Sequence, residues 1–128
     1  MTKFGKTIIP FEYRPESHEL ETAKFFNKLG KDVEFLIPSR EKHSRTPDIK
    51  MDNILWEIKS PKGGSSRTIE NNLRTALKQS ENLIVDLRRT KLNERKALSQ
   101  INKEFKMIKK IKRLIVIQKN QKLLDLKR

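Results

Sequence analysis

Residues 46–59 read TPDIKMDNILWEIK. Apolar and polar residues alternate on either side of Asp52-Asn53, a pair typical of tight turns, so the stretch predicts two short strands joined in a hairpin. Asp48 belongs to the first strand. In the second strand Glu57 and Lys59 share a face, because side chains alternate with a period of two. If the strands pair as the turn indicates, two carboxylates and one ammonium group converge.

This set of side chains suits phosphodiester chemistry. Two carboxylates can hold a hard divalent cation such as Mg²⁺, which prefers oxygen ligands and keeps several waters. A lysine beside them can orient or deprotonate a water and can offset the negative charge that develops on a phosphate. The hairpin therefore predicts a metal-dependent phosphodiesterase, and the alternative is a surface hairpin with scattered charges. Trp56, beside Glu57, is expected to pack in the core.

Outward from the hairpin, the pattern predicts helices and strands in alternation. We expect helices over about 17–29, 68–80 and 93–111, strands over 32–37, 83–87, 113–118 and 122–126, and polar loops over 38–45 and 60–66. Helix–strand alternation around a mixed sheet is an α/β sandwich. The 128 residues predict a single domain, with an extended segment over 1–15, a catalytic core over 16–87, and a basic helix with final edge strands over 88–128.

The first predicted helix supplies a third acidic candidate. Ser17 is its predicted N-cap, and Glu19, Ala23 and Phe26 form one stripe along it. A carboxylate at the edge of a core-facing stripe is unfavourable unless it meets a cation, so Glu19 is predicted to lie near the metal. His18 is interpreted as a bystander.

Charge distribution points to a polyanionic partner. The net charge is +14, and residues 88–128 hold 15 basic and three acidic residues, a net of +12. Such a surface attracts nucleic acid by counterion release and steering. The chain has no cysteine, so disulfides and thiolate metal sites are excluded. No apolar run approaches the length of a membrane-spanning helix.

At Pro47, Asp48, Glu57 and Lys59 the chain resembles the PD-(D/E)XK nuclease superfamily, which implies an αβββαβ core with a mixed central sheet. Over about residues 12–126 it also resembles the C-terminal tRNase domains of contact-dependent growth inhibition toxins (CdiA-CT). The stretches that carry this likeness are residues 17–26, 46–48, 56–61 and 65–73. The resemblance implies a monomeric toxin domain that cleaves tRNA in the cytoplasm of a target bacterium after delivery. It also implies neutralisation by an immunity protein, and the basic surface predicts that this protein is acidic.

Within this frame the residues take specific roles. Asp48 and Glu57, with the Ile58 carbonyl, are expected to ligate Mg²⁺, with Mn²⁺ or Zn²⁺ as alternatives, and Glu19 to complete the acidic cluster directly or through water. Lys59 is expected to act on the attacking water or on the developing phosphorane charge; a 2′-hydroxyl is the alternative nucleophile. The substrate-binding candidates, for each of which simple capping or solvation is the alternative, are Ser60, Ser65, Ser66, Arg67, Thr68, Asn71, Arg74 and Lys78.

Two other functions stay open at this point. A DNA endonuclease or junction resolvase could use the same fold and the same acidic residues. A non-catalytic nucleic-acid-binding module could use the basic surface of residues 88–128 alone, and it predicts that Asp48, Glu57 and Lys59 are dispensable. If the chain is a stand-alone protein rather than a delivered domain, it is expected to be cytoplasmic.

Overall fold

The computed structural model describes residues 3–39, 41 and 46–128. Its helices are α1 Ser17–Lys28, α2 Thr68–Ala76 and α3 Glu94–Met107. Its strands are β1 Thr7–Ile8, β2 Val33–Phe35, β3 Ile49–Met51, β4 Ile54–Lys59, β5 Asn82–Asp86, β6 Arg113–Ile117 and β7 Leu123–Lys127. The extended segment predicted over 1–15 and the loop predicted over 38–45 lie partly outside the described residues. Within the described ranges, none of the helices has the length and apolar character needed to span a bilayer.

The strands form one mixed sheet whose order follows the sequence from β1 to β7. β1–β2, β4–β5 and β5–β6 are parallel pairs, whereas β2–β3, β3–β4 and β6–β7 are antiparallel. The predicted order of elements from α1 to β6 is confirmed, and so is the edge strand at the C-terminal end. The sequence pattern does not predict β1, which is only two residues long and pairs with β2.

The predicted hairpin is present, with its turn at the predicted residues. Asp52 and Asn53 have φ values of 55° and 62°, as a two-residue hairpin turn of type I′ requires. Ile49 pairs with Trp56 across the strands. Trp56 is fully buried, and its Nε1–H donates a hydrogen bond to the Met51 carbonyl at 3.0 Å. The expectation that Trp56 packs in the core is therefore confirmed.

Helices cover both faces of the sheet. On one face Phe26 of α1 belongs to a core cluster with Trp56 and Ile84. On the other face Leu73 of α2 and Ile101 of α3 belong to a second cluster with the neighbouring β5 residues Leu83 and Val85. The alternation along β5 separates the two cores, because successive strand residues point to opposite faces. The predicted α/β sandwich is confirmed at this level.

The starts of α1 and α2 differ from the predicted caps. Ser17 is the first residue of α1 rather than its cap, and the N-cap of α2 is Arg67 rather than Thr68 or Ser66, the two residues whose hydroxyl groups predict a cap there. At α1 the N-cap is Glu16, whose backbone N–H donates to the Glu19 carboxylate at 2.9 Å. The Thr68 hydroxyl instead accepts a hydrogen bond from the backbone N–H of Ser65 at 3.1 Å. These acceptors lie one turn along the chain, so residue preference alone misplaces the caps by one position.

The predicted ends of α2 and α3 are too late in the chain. α2 ends at Ala76 rather than near residue 80, and α3 ends at Met107 rather than at Ile111. Ile108 leaves the helix with φ −92° and ψ 87°, and Ile111 is then fully buried in the core. Burial of Ile111 beside the start of β6 outweighs the helical preference of the lysine-rich sequence around it, because tertiary packing overrides weak local propensity.

Asp86, the acidic residue at the end of β5, is buried and saturated with hydrogen bonds. Its carboxylate accepts from the Thr22 hydroxyl at 2.7 Å and from Arg88 at three positions, the backbone N–H at 3.1 Å, Nε at 2.9 Å and a terminal amino group at 2.7 Å. Although burial opposes ionisation, the hydrogen bonds from Arg88 and Thr22 lower the pKa of Asp86. This network ties α1 to the end of β5.

We expect Asp86→Ala to lower the free energy of unfolding by about 3–5 kcal/mol, because removing one partner of a buried ion pair leaves the other uncompensated. Urea denaturation followed by circular dichroism measures the loss. The matched control is Glu81→Ala, since Glu81 forms a more exposed pair with Lys112 at 3.6 Å and such pairs contribute at most about 1 kcal/mol. Equal losses in the two variants would show that the Asp86 network is not important for stability.

Candidate active site

The four predicted catalytic residues line one cavity of about 310 Å³ at the end of β4. Glu57 and Lys59 come from β4, Asp48 from the residue before β3, and Glu19 from the first turn of α1. The complete lining is Glu16, His18, Glu19, Asp48, Glu57, Ile58, Lys59, Ser60, Asn72 and Arg89. The structure thus brings together the side chains that the hairpin and the helix stripe single out.

Asp48 occupies the centre of the acidic group. Its carboxylate accepts a hydrogen bond from the Ile58 N–H at 2.8 Å, and its own backbone N–H donates to the Trp56 carbonyl at 3.0 Å. Burial, and then the charge of Asp48, raises the pKa of both Glu19 and Glu57, so the three carboxyl groups share one electrostatic environment. Hydrogen bonds to the backbone of β4 therefore fix both the side chain and the main chain of Asp48, which has Glu19 and Glu57 as its acidic neighbours.

Glu57 is the most perturbed of these acids. It is 6% exposed, and its Oε1 atom has no hydrogen-bond partner among the described residues. Burial, reinforced by the charge of Asp48, raises the pKa of Glu57 to about 8. Lys59 opposes this shift, with its Nζ atom 3.8 Å from Glu57 Oε2. A buried carboxylate oxygen with no donor and a carboxylate neighbour is an arrangement that a bound cation would stabilise.

Glu19 both accepts a backbone hydrogen bond at the start of α1 and lines the acidic cavity. It is 8% exposed, and one of its oxygens accepts the Glu16 N–H. Burial raises its pKa, and the Asp48 charge acts in the same direction. The pKa of the neighbouring Tyr13 rises to about 12, through burial and through the charges of Glu19 and Asp48. The pKa values of Glu19, Glu57 and Tyr13 are thus all raised by burial and by the negative charge that is concentrated in this cavity.

The residues present fit a hard divalent cation held by two carboxylates. Within residues 3–39, 41 and 46–128, no group of three or more His, Cys, Asp and Glu side chains is arranged to hold a metal ion. Mg²⁺, however, is commonly bound by one or two carboxylates together with waters and substrate phosphate oxygens. Asp48 and the unpartnered Oε1 of Glu57 supply such a pair. Glu19, one oxygen of which already accepts the Glu16 N–H, lines the same cavity as this pair.

The structure places one of the eight predicted substrate-binding residues in the acidic cavity. Ser60 lines the acidic cavity, and the Ser65 and Thr68 hydroxyls contact each other at 3.0 Å beside the start of α2. Arg67 lies 3.6 Å from Glu70, so it is part of a surface ion pair. None of the seven candidates other than Ser60 lines the cavity; Ser66 and Asn71 are exposed beside α2, and Arg74 and Lys78 line a separate cleft of about 220 Å³ with Leu77 and Lys110.

Four of the residues that line the cavity were not predicted as site residues from the sequence: Glu16, His18, Asn72 and Arg89. Arg89 lies just beyond the end of β5, and its Nε donates to the Ser60 carbonyl at 2.8 Å. The position of Arg89 was predictable, because β4 and β5 are parallel strands and the carboxyl ends of adjacent parallel strands lie at the same edge of a sheet. His18 lines the cavity beside Arg89, so its interpretation as a bystander finds no support in its position. Burial and the charge of Arg89 lower the pKa of His18.

The raised pKa of Glu57 predicts a specific pH dependence of stability in EDTA. Between its ordinary value of 4.5 and its folded value of about 8, the folded state binds more protons than the unfolded state. Stability from this group is therefore greatest below pH 4.5 and falls as the pH rises to 8. We expect Glu57→Gln, which mimics the protonated acid, to melt within about 1 °C of wild type at pH 4.5 and several degrees higher at pH 8.5.

Thermal denaturation of both proteins across this pH range measures the difference. The comparison reports the removal of the Glu57 charge together with the relief of the neighbouring carboxylates to which that charge is coupled. A difference in melting temperature that does not change with pH would mean that Glu57 ionises normally in the folded protein.

Comparison with known proteins agrees with this fold. Residues 45–123, more than half of the chain, match the family model described as "Contact-dependent growth inhibition CdiA C-terminal domain". The matched range includes Asp48, Glu57 and Lys59 but not Glu19. Among solved structures, the chain is similar to one titled "CdiA-CT/CdiI toxin and immunity complex from Burkholderia pseudomallei", with a TM-score of 0.70 and 19% identity over 97% of this chain and 100% of that chain. Among curated proteins, no sequence matches.

Proposed function

Because the chain belongs to the family of CdiA C-terminal domains of contact-dependent growth inhibition, we propose that it is a metal-dependent nuclease toxin that cleaves tRNA. The observation that carries the proposal is the unpartnered, buried carboxylate oxygen of Glu57 beside Asp48 and Lys59. Gln100 Oε1 and Glu104 Oε2 also lack partners among the described residues, but of these three residues Glu57 is the one that lines the acidic cavity. Glu57 is left incompletely paired in a cavity that opens to solvent.

The arrangement supports membership of the PD-(D/E)XK superfamily. Asp48 directly precedes β3, Glu57 lies on the adjacent strand β4, Lys59 follows two residues after Glu57, and the elements from α1 to β5 run in the order αβββαβ. Fold likeness alone does not define a reaction, so the proposed activity depends on the geometry of these side chains.

Each residue of the cavity has a proposed task. Asp48 and Glu57, with the Ile58 carbonyl, hold a divalent cation, with Mg²⁺ the first choice for an all-oxygen set. When bound, the cation supplies positive charge against the scissile phosphate and favours deprotonation of the nucleophile. Lys59, a quarter exposed, directs its ammonium group towards the same phosphate. Either water or a ribose 2′-hydroxyl is the nucleophile.

The charge of the chain supports a nucleic acid substrate. Residues 88–128 carry a net charge of +12, and the exposed side of α3 and the residues that follow it contribute Lys103, Lys106, Lys109 and Lys110. Such a surface binds a phosphate backbone without reading its sequence. The choice of tRNA rests on the family resemblance rather than on this charge.

Incubation of the purified protein with total tRNA and with plasmid DNA, each in Mg²⁺ and in EDTA, tests the proposal. We expect discrete tRNA fragments in Mg²⁺ only, and end-mapping of the fragments then locates the cut. Cleavage of DNA alone would identify the endonuclease alternative. Binding of both without cleavage would identify a nucleic-acid-binding module and overturn the catalytic assignment.

A cognate immunity protein is the proposed partner. The similar solved structure is titled as a complex of a toxin with CdiI, and the +14 charge of the present chain favours an acidic protein with fast, salt-dependent association. The toxin domain is proposed to be a monomer when free and to act in the cytoplasm of the target cell. Coexpression with the protein encoded next to it tests this, and the idea fails if that protein neither binds the domain nor blocks its activity.

A further inference from the structure

We propose that a second cavity, adjoining the acidic one, is a subsite for the nucleotide next to the cleaved phosphodiester; this inference rests on the proposed nuclease function. The second cavity has a volume of about 330 Å³, at the lower end of the usual range for small-ligand sites. It shares His18, Ser60 and Arg89 with the acidic cavity, and its own lining includes Ser17, Glu21 and Arg88. A strand bound across the acidic cavity would therefore continue directly into it.

Arg88 provides a fixed planar group in this cavity. Its guanidinium donates to the buried Asp86 carboxylate at 2.9 and 2.7 Å and to the Glu21 backbone carbonyl at 3.1 Å. The Cζ atom lies 5.3 Å from the centre of the Phe25 ring. With its orientation set by these contacts, the guanidinium is preorganised for stacking on a nucleobase, which arginine planes favour in single-stranded RNA recognition.

Arg89 lies at the boundary between the two cavities. Its Nε is held by the Ser60 carbonyl at 2.8 Å, which leaves the fork of terminal amino groups to interact with a phosphate. A guanidinium fork matches phosphate geometry better than a lysine ammonium does. A backbone phosphate held by Arg89 would lie between the carboxylates of the first cavity and the Arg88 guanidinium of the second.

The rest of the lining favours a nucleotide over a simple anion. Asp86 already neutralises Arg88, so Arg89 is the cation that this lining leaves for one phosphate. Ser17 and Glu21, both exposed, also line the cavity. These groups can accept or donate hydrogen bonds to a base edge, whereas a carboxylate would repel a second phosphate. The composition is that of a site for a base with a single adjacent phosphate.

Titration of ¹⁵N-labelled Glu57→Gln protein with the four nucleoside monophosphates and with inorganic phosphate, followed by NMR, tests the subsite. We expect amide shifts concentrated in residues 17–21, at Ser60 and at residues 88–89. At least one nucleotide should bind about tenfold more tightly than phosphate, through base stacking. Ser17→Tyr, which fills the cavity, should remove that advantage but leave phosphate binding at Arg89.

Arg89→Gln should weaken both nucleotide and phosphate binding at least fivefold, whereas the matched control Arg95→Gln, an exposed arginine on α3, should change neither. Equal affinity for phosphate and every nucleotide, or shifts outside the cavity, would overturn the inference. Its failure is distinct from that of the nuclease proposal. Cleavage by wild type without shifts at the cavity removes only the subsite, and nucleotide binding there without any cleavage removes only the nuclease.

Discussion

Glu57→Gln is expected to reduce nucleic acid cleavage by at least about 10³-fold, the order of effect that follows when charge stabilisation by a metal site is lost. Glutamine keeps the shape of the side chain but removes the negative charge that would hold a cation. Because the buried carboxylate has no partner at Oε1 and a carboxylate neighbour in Asp48, the change removes repulsion as well. The same variant should therefore be inactive and, above neutral pH, more stable than wild type.

Initial rates of tRNA cleavage at saturating Mg²⁺ measure the loss of activity, and thermal melting of the same preparation in EDTA measures stability. The matched control is Glu34→Gln, an exposed glutamate on β2 that does not line the cavity; it should keep wild-type activity. An active Glu57→Gln protein would remove Glu57 from the metal site. An inactive protein that is also destabilised would assign the residue a structural role.

The hairpin was predictable because its signals are local. An Asp-Asn turn and period-two alternation determine which residues pair, so Asp48, just before β3, and Glu57, on β4, come to the same end of the hairpin. Glu19 was predictable for a different reason. A charged residue on a helical stripe that also carries Ala23 and Phe26 must end beside the core, and the structure buries it next to Asp48.

Other features depend on contacts between distant residues, which periodicity does not encode. The end of α3 at Met107 follows from the burial of Ile111, not from any helix-stop residue. On α2, a shift of one residue decides that Asn72 lines the cavity and Asn71 does not. Arg89 was counted only as part of a basic surface, although the end of a parallel strand beside β4 positions it at the cavity.

Lys59→Met is expected to reduce cleavage by about 10²–10³-fold, the range found when one charge-stabilising donor is removed from an active site. Methionine has a similar length and no charge, so the change isolates the ammonium group. Lys59 also opposes the raised pKa of Glu57, from which its Nζ atom lies 3.8 Å. Its loss should raise that pKa further, so the acidic limb of the pH–rate profile should move to higher pH.

The matched control is Lys50→Met, on the neighbouring strand of the same hairpin, where the side chain is exposed and does not line the cavity. It makes the same change in net charge, so any loss shared by the two variants reports weaker attraction of the polyanion and should diminish at high salt. The Lys59 effect should persist at high salt and appear in kcat. If both variants lose activity equally, and only through KM, then Lys59 acts as part of the basic surface and the positively charged group at the reacting phosphate must be sought elsewhere, with Arg89, which also lines the cavity, as the candidate.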